Sequence, residues 1–148
     1  MKMRYDEKAA FERMRAGVIT SGGFLGTDTR PLSDIIEADE EMFRALNLEF
    51  DEVADELERL AKEGARGLGE PITVDAVYLV KSDEARGKFP CPYDDGIFHK
   101  NSVTLEKDGA SLIYSDLSLH LLRDHHFCQG HGSPFRLDPL LIKQILSR

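Results

Sequence analysis

The spacing of apolar positions changes period along this chain, and the changes mark out its elements. Asp6 to Ala16 reads as a short helix stopped by Gly17. After a glycine-rich loop, Pro31 suits the first turn of a second helix. Ile35, Ile36, Met42, Phe43 and Leu46 recur there at near-helical spacing, with a break expected near Asp39 and an end at Asn47. From Asp51 to Gly64 the signal is sharper. Val53, Leu57, Leu60 and Ala61 form one stripe at i, i+4, i+7 and i+8, and Glu52, Asp55, Glu56, Glu58 and Arg59 take the other side.

The period then drops to two. Ile72, Val74, Ala76, Tyr78 and Val80 alternate with their neighbours as one strand does. Lys81 to Lys100 reads as loop. Ser102–Lys107 and Ala110–Tyr114 flank Asp108-Gly109, a two-residue hairpin signal whose turn needs positive φ at both residues. Leu117 to about His125 reads as a helix capped by Ser115 or Asp116. Asp138 then caps a last helix with Pro139 at its first position and Leu140, Leu141, Ile145 and Leu146 as buried candidates. The order is N-terminal helices, a small antiparallel-rich sheet and two C-terminal helices, an α+β arrangement expected to form a single domain over 1–148.

Composition narrows the function classes. With 41% hydrophobic and 31% charged residues the chain is globular rather than disordered. Its net charge of −8 repels phosphate backbones, so nucleic acid is not an expected partner. Twelve acidic and three basic residues between Asp34 and Glu63 carry −9, so the acidity belongs to one helical region. That region could pass for a helix-turn-helix, but Asp51, Glu52, Asp55, Glu56 and Glu58 would face the phosphates. Met1 to Lys8 has no apolar stretch behind its charges, and no apolar run reaches membrane-spanning length. Cys91 and Cys128 make no disulfide framework. The expectation is a cytoplasmic, reduced protein away from membranes.

Candidate chemistry gathers in the C-terminal half. Four of the five histidines, His120, His125, His126 and His131, lie within twelve residues of one another, with Cys128 among them. Imidazole and thiolate are zinc donors, although no Cys-x-x-Cys or His-Glu-x-x-His spacing occurs. On a regular helix His120 and His125 project roughly 140° apart, which argues against one shared ion. Two readings follow. Asp116, His120 and Asp124 form a ridge at four-residue spacing, or His125 points inward to meet Cys91, His99 or Asp94 from elsewhere. If the helix ends before His125, then His120, His125, Cys128 and His131 can converge. The competing explanation is a core histidine bonded to backbone.

Gly130-His131-Gly132-Ser133-Pro134-Phe135-Arg136 is the other unusual stretch. Its glycines allow close backbone approach, Ser133 adds a hydroxyl and Arg136 a planar fork for carboxylate or phosphate. His131, Gly132, Ser133 and Arg136 are therefore candidate ligands for a small anionic molecule. The alternative is a connecting loop whose arginine pairs with an acid from the Asp34–Glu63 region. The loop holding Gly22, Gly23, Gly26 and Arg30 is a second, weaker anion cradle without P-loop spacing. Cys91, between Pro90 and Pro92, could be a nucleophile, but Pro92 removes the following N–H, a common oxyanion donor.

These features combine into one functional expectation. The Cys91–His99 loop meets the His120–Arg136 segment at a metal or small-anion site, with Cys91, His120 and His125 as metal ligands, zinc as the expected ion and hydrolysis as its use. The alternative is a non-catalytic interaction protein that offers its acidic Asp34–Glu63 face to a basic protein partner. The sequence leaves open whether the chain is an enzyme.

Overall fold

The computed structural model describes residues 7–147. Asp6 as a helix start, and most of the N-terminal stretch examined for a signal peptide, lie outside the described residues. The elements run α1 (Glu7–Arg13), α2 (Leu32–Ala45), α3 (Phe50–Gly64), a 3-10 turn (Ala65–Gly67), β1 (Ile72–Val74), β2 (Tyr78–Pro90), β3 (Ile97–Lys107), β4 (Ala110–Tyr114), α4 (Asp116–His125) and α5 (Pro139–Leu146). The four strands form an antiparallel meander in the order β1-β2-β3-β4 with helices before and after it, an α+β fold. Among the described residues no helix is long and apolar enough to cross a membrane.

Two apolar clusters sit on either side of α4. The larger packs the α3 stripe, Val53, Leu57 and Leu60, against Val80, Leu105 and Tyr114 of the sheet and Ile142 and Ile145 of α5. Tyr114 is fully buried and donates its hydroxyl to the Leu57 carbonyl at 2.7 Å, which satisfies the one polar atom it brings into the core. Gly64 lets α3 approach the sheet closely, because a Cβ there would collide with the Val80 side chain. The smaller cluster joins Met14, Phe24, Leu32 and Ile35 to Cys91, Tyr93 and Phe127. Leu119 and Leu122 of α4 face the larger cluster, while Leu117 and Leu121 face the smaller one. That division explains the breadth of the helix's apolar surface.

Four expectations are corrected. The strand predicted over 72–80 is a hairpin, because Asp75 and Ala76 take φ of 54° and 64° and Val74 pairs with Tyr78. Reversal at a tight turn preserves alternation, so the period gives no sign of it. The supposed loop over 81–100 is mostly strand: β2 pairs with β3 from Leu79 and Glu106 out to Pro90 and Ile97, with a register shift between Glu84 and Lys88. Its charged residues are held by backbone bonds, to which a hydropathy pattern is blind. Helix α2 continues through Asp39, since Arg136 answers that buried carboxylate. In α5 Ile142 is buried, whereas Leu140 is 58% exposed.

The capping signals are realised in detail. Ser115 caps α4 by accepting from the Ser118 N–H at 3.1 Å, and Asp138 caps α5 by accepting from the N–H groups of Leu140 and Leu141. Asp108 and Gly109 have φ of 50° and 83°, and Lys107 pairs with Ala110 across them.

Candidate metal centre

Cys91, Asp95, His120 and His125 each bring one potential ligand atom to within 4.8 Å of the others. Two come from the turn joining β2 to β3 and two from α4. The turn is tight: Cys91 N–H donates to the Gly96 carbonyl and Asp94 N–H to the Cys91 carbonyl, both at 2.8 Å. Asp94 takes φ of 60°, a conformation aspartate tolerates, and its side chain stays outside the cluster. Asp95 is thereby turned inward. Its side chain is 18% exposed although the residue's backbone runs along the surface.

On the helix side, Asp95 lies between the two imidazoles. Its Oδ1 is 2.9 Å from His120 Nε2 and its Oδ2 is 2.8 Å from His125 Nε2. The ring centroids of the two histidines are 5.2 Å apart. This corrects the expectation that the projection angle keeps the pair from sharing an ion. The angle fixes where each Cβ leaves the helix, but each imidazole swings along the surface, and Asp95 sits over the gap between them. His125 is the last residue of α4, and His126 turns the chain away with φ of 53°.

Packing fixes both rings. His125 stacks on Tyr93 at 3.8 Å between centroids and its side chain is 4% exposed. His120 lies against Phe98 at 4.6 Å, and its Nδ1 is 3.0 Å from Asp124 Oδ2. A carboxylate on Nδ1 is the partner that orients a histidine whose Nε2 ligates a metal.

Burial and hydrogen bonding set the protonation of the donors. Burial, reinforced by the neighbouring Asp95 carboxylate, pushes the Cys91 thiol up to about 12. Burial also works against the Asp95 charge, but bonds from Cys91, His120 and His125 overcome it and hold the carboxyl at about 2. Burial lowers the His125 pKa, with Asp95 opposing. A thiol so placed is a poor nucleophile in its own right. Only a positive charge at the centre would draw off its proton, and the Tyr93 N–H, 3.4 Å from Sγ, would then steady the thiolate.

The other candidate residues have protein partners. Gly130 N–H donates to the Phe24 carbonyl at 2.9 Å, Thr27 N–H to the His131 carbonyl at 2.8 Å, and His131 N–H to Asp28 Oδ2 at 3.1 Å. The two glycine-rich loops that each looked like an anion cradle thus lie against one another. A Cβ on Gly130 would strike the Leu25 carbonyl, and one on Gly132 would come within 3.0 Å of Thr27 Oγ1. Ser133 donates to Gln129 Oε1 at 2.7 Å. Arg136 is held by both oxygens of Asp39 at 2.9 Å and by the Gln129 carbonyl, leaving its buried Nε without a partner among the described residues. Arg30 is likewise taken by Asp28.

Cys128 lies in the larger core, and His131 is exposed, so neither joins the centre. His126 stacks on Phe50 at 3.9 Å and meets Glu40 at 2.8 Å. His99 is exposed, opposite Lys88 in the ribbon. Asp116 pairs with Asn101 instead of His120. On the acidic face, Arg123 binds Asp55 and Glu58, and Arg59 binds Glu56 and Asp75.

The residue that sequence reasoning missed is Asp95. The Asp94-Asp95-Gly96 turn held the signal, but which aspartate turns inward depends on the φ of Asp94. No protein-family model matches this chain, and no curated protein or solved structure does either, so the geometry of the centre alone carries the functional reading.

Proposed function

We propose that this protein binds a transition-metal ion, zinc foremost, through Cys91, Asp95, His120 and His125. The observation that carries the reading is the convergence of one thiol, one carboxylate and two imidazoles, all donors zinc accepts, from two separate elements. Tetrahedral zinc sets its donors roughly 3.3–3.6 Å apart, so the cluster closes on an ion by movements of about an ångström. Four protein donors make a closed centre, and its effect is to brace the β2–β3 turn against α4.

The hydrolytic version takes Cys91, His120 and His125 as ligands with water in the fourth place. It requires Asp95, the most exposed of the four side chains, to yield its position to that water. Binding of a small anion by His131, Gly132, Ser133 and Arg136 draws less support, because Asp39 and Gln129 already occupy the polar groups of Arg136 and Ser133. Docking of a basic protein on the acidic face is weakened in the same way, since Arg59 and Arg123 meet its carboxylates.

Metal analysis of protein purified without a histidine tag tests the reading. One zinc per chain is expected, falling to a small fraction in His125→Ala. Cobalt substitution adds a second readout, a sulfur-to-cobalt charge-transfer band that Cys91→Ser abolishes. Sub-stoichiometric metal unchanged by His125→Ala would overturn the proposal.

A further inference from the structure

The peptide unit between Pro92 and Tyr93 is bonded on both sides. Its N–H donates to Cys91 Sγ at 3.4 Å, and its carbonyl accepts from Nε of Arg13, 79 residues earlier in the chain. A trans peptide points these two groups in opposite directions, and no cis peptide occurs among the described residues. The guanidinium therefore polarises the same unit that donates to sulfur, and hydrogen bonds in such a series strengthen one another.

Arg13 is the last residue of α1, a helix of seven residues. A helix that short does not hold by itself in water, so α1 persists only while it is docked. Ala10 and Met14 are fully buried and share the smaller apolar cluster with Cys91 and Tyr93. The Met14 carbonyl also accepts from the Phe24 N–H at 2.8 Å. The N-terminal helix is thus fastened to the metal turn by apolar burial and by one charge-assisted bond. We infer that Arg13 is a positioning residue of the metal centre, acting through the Pro92–Tyr93 peptide to steady the Cys91 thiolate, and that metal binding in turn tightens the docking of α1. The inference rests on the metal reading, because the series has a charge to answer only when Cys91 ligates as a thiolate. The coupling is reciprocal: the factor by which docked α1 raises metal affinity is the factor by which metal favours docking.

Hydrogen exchange of the full chain, with and without zinc, tests the coupling on the unaltered protein. Zinc is expected to slow exchange of the Met14 amide, which donates to the Ala10 carbonyl, about tenfold. The cobalt-substituted protein tests the series of bonds. A hydrogen bond to sulfur lowers the energy of its lone pairs, so weakening it moves the sulfur-to-cobalt band to longer wavelength. Arg13→Met keeps an unbranched stem and loses the donors. It is expected to produce that shift and to weaken zinc about tenfold, and Arg13→Lys is expected to restore most of both. Arg15→Gln removes a charge from the exposed arginine bonded to Glu12 and is expected to change neither. Identical Met14 exchange with and without zinc would overturn the inference, as would an unmoved band in Arg13→Met or an equal shift in Arg15→Gln. Failure of the metal reading looks different: the unaltered chain then binds neither zinc nor cobalt, and both proposals fall together. Metal bound with an unmoved band removes this inference alone.

Discussion

His125 and Tyr93 lie face to face, with ring centroids 3.8 Å apart and planes within 4° of parallel. The contact joins the last residue of α4 to the turn that carries Cys91 and Asp95, so it orients one donor against the other two. Tyr93→Leu keeps most of the buried volume but removes the stacking surface. The expected cost is about 1 kcal/mol beyond lost area, with metal affinity about tenfold lower. Denaturant midpoints of the metal-free protein and competition with a chromophoric chelator measure the two effects separately.

Asp124 touches His120 and lies outside the metal cluster. Asp124→Asn is expected to weaken metal binding about 10–100-fold while leaving one metal per chain at saturation. Its side chain is half exposed, so the stability of the metal-free protein is expected to stay nearly constant.

Acid acts on the centre in two windows. The lowered pKa of His125 means that the unfolded chain takes up a proton near pH 6.5, before the folded one does. The full contribution is present above that pH and shrinks as the pH falls below it. Asp95 adds stability above its ordinary value of 3.8 and loses it as the pH falls toward about 2. Equilibrium unfolding of metal-free protein across pH 2–8 is expected to show both declines, with His125→Gln removing the upper one. Metal binding shows the opposite face of the same linkage. The Cys91 thiol, held at about 12, gives up its proton to the ion, so affinity rises about tenfold per pH unit for that proton. A pH-independent affinity for metal would contradict thiolate ligation.

Asp39 and Arg136 form an ion pair with side chains 5% and 8% exposed. Arg136→Leu leaves a carboxylate buried alone and is expected to cost about 3–5 kcal/mol. Asp39→Leu combined with Arg136→Leu is expected to recover most of that, because two apolar groups replace two charges together. Thermal unfolding of the single and double variants reads the difference, and metal stoichiometry is expected to be the same in both.

Local chemistry made much of the fold legible. Val53, Leu57 and Leu60 announce α3 through their spacing, Ser115 and Asp138 announce the starts of α4 and α5, and Asp108-Gly109 announces a reversal that needs two positive φ values. The ribbon from Lys81 to Lys100 was not legible, because its register rests on backbone bonds between charged strands. Cys91, His120 and His125 stood out by residue type. Their convergence, and the part of Asp95, depended on a turn conformation and on ring rotations that no one-dimensional pattern contains. The aim of Arg136 followed the same rule. Its guanidinium chemistry was readable, but that Asp39, 97 residues away, would claim it was not.

The interlocked glycine loops bear on how the protein is made. Thr27 and His131 are partners across 104 residues, and the surface that Phe24 and Leu25 cover is supplied by Gly130 and its neighbours. During synthesis, residues 24–28 therefore stay without their partners Gly130, His131 and Gly132 until that much later segment has appeared. That loop is expected to dock late, and until then it is open to proteases and chaperones.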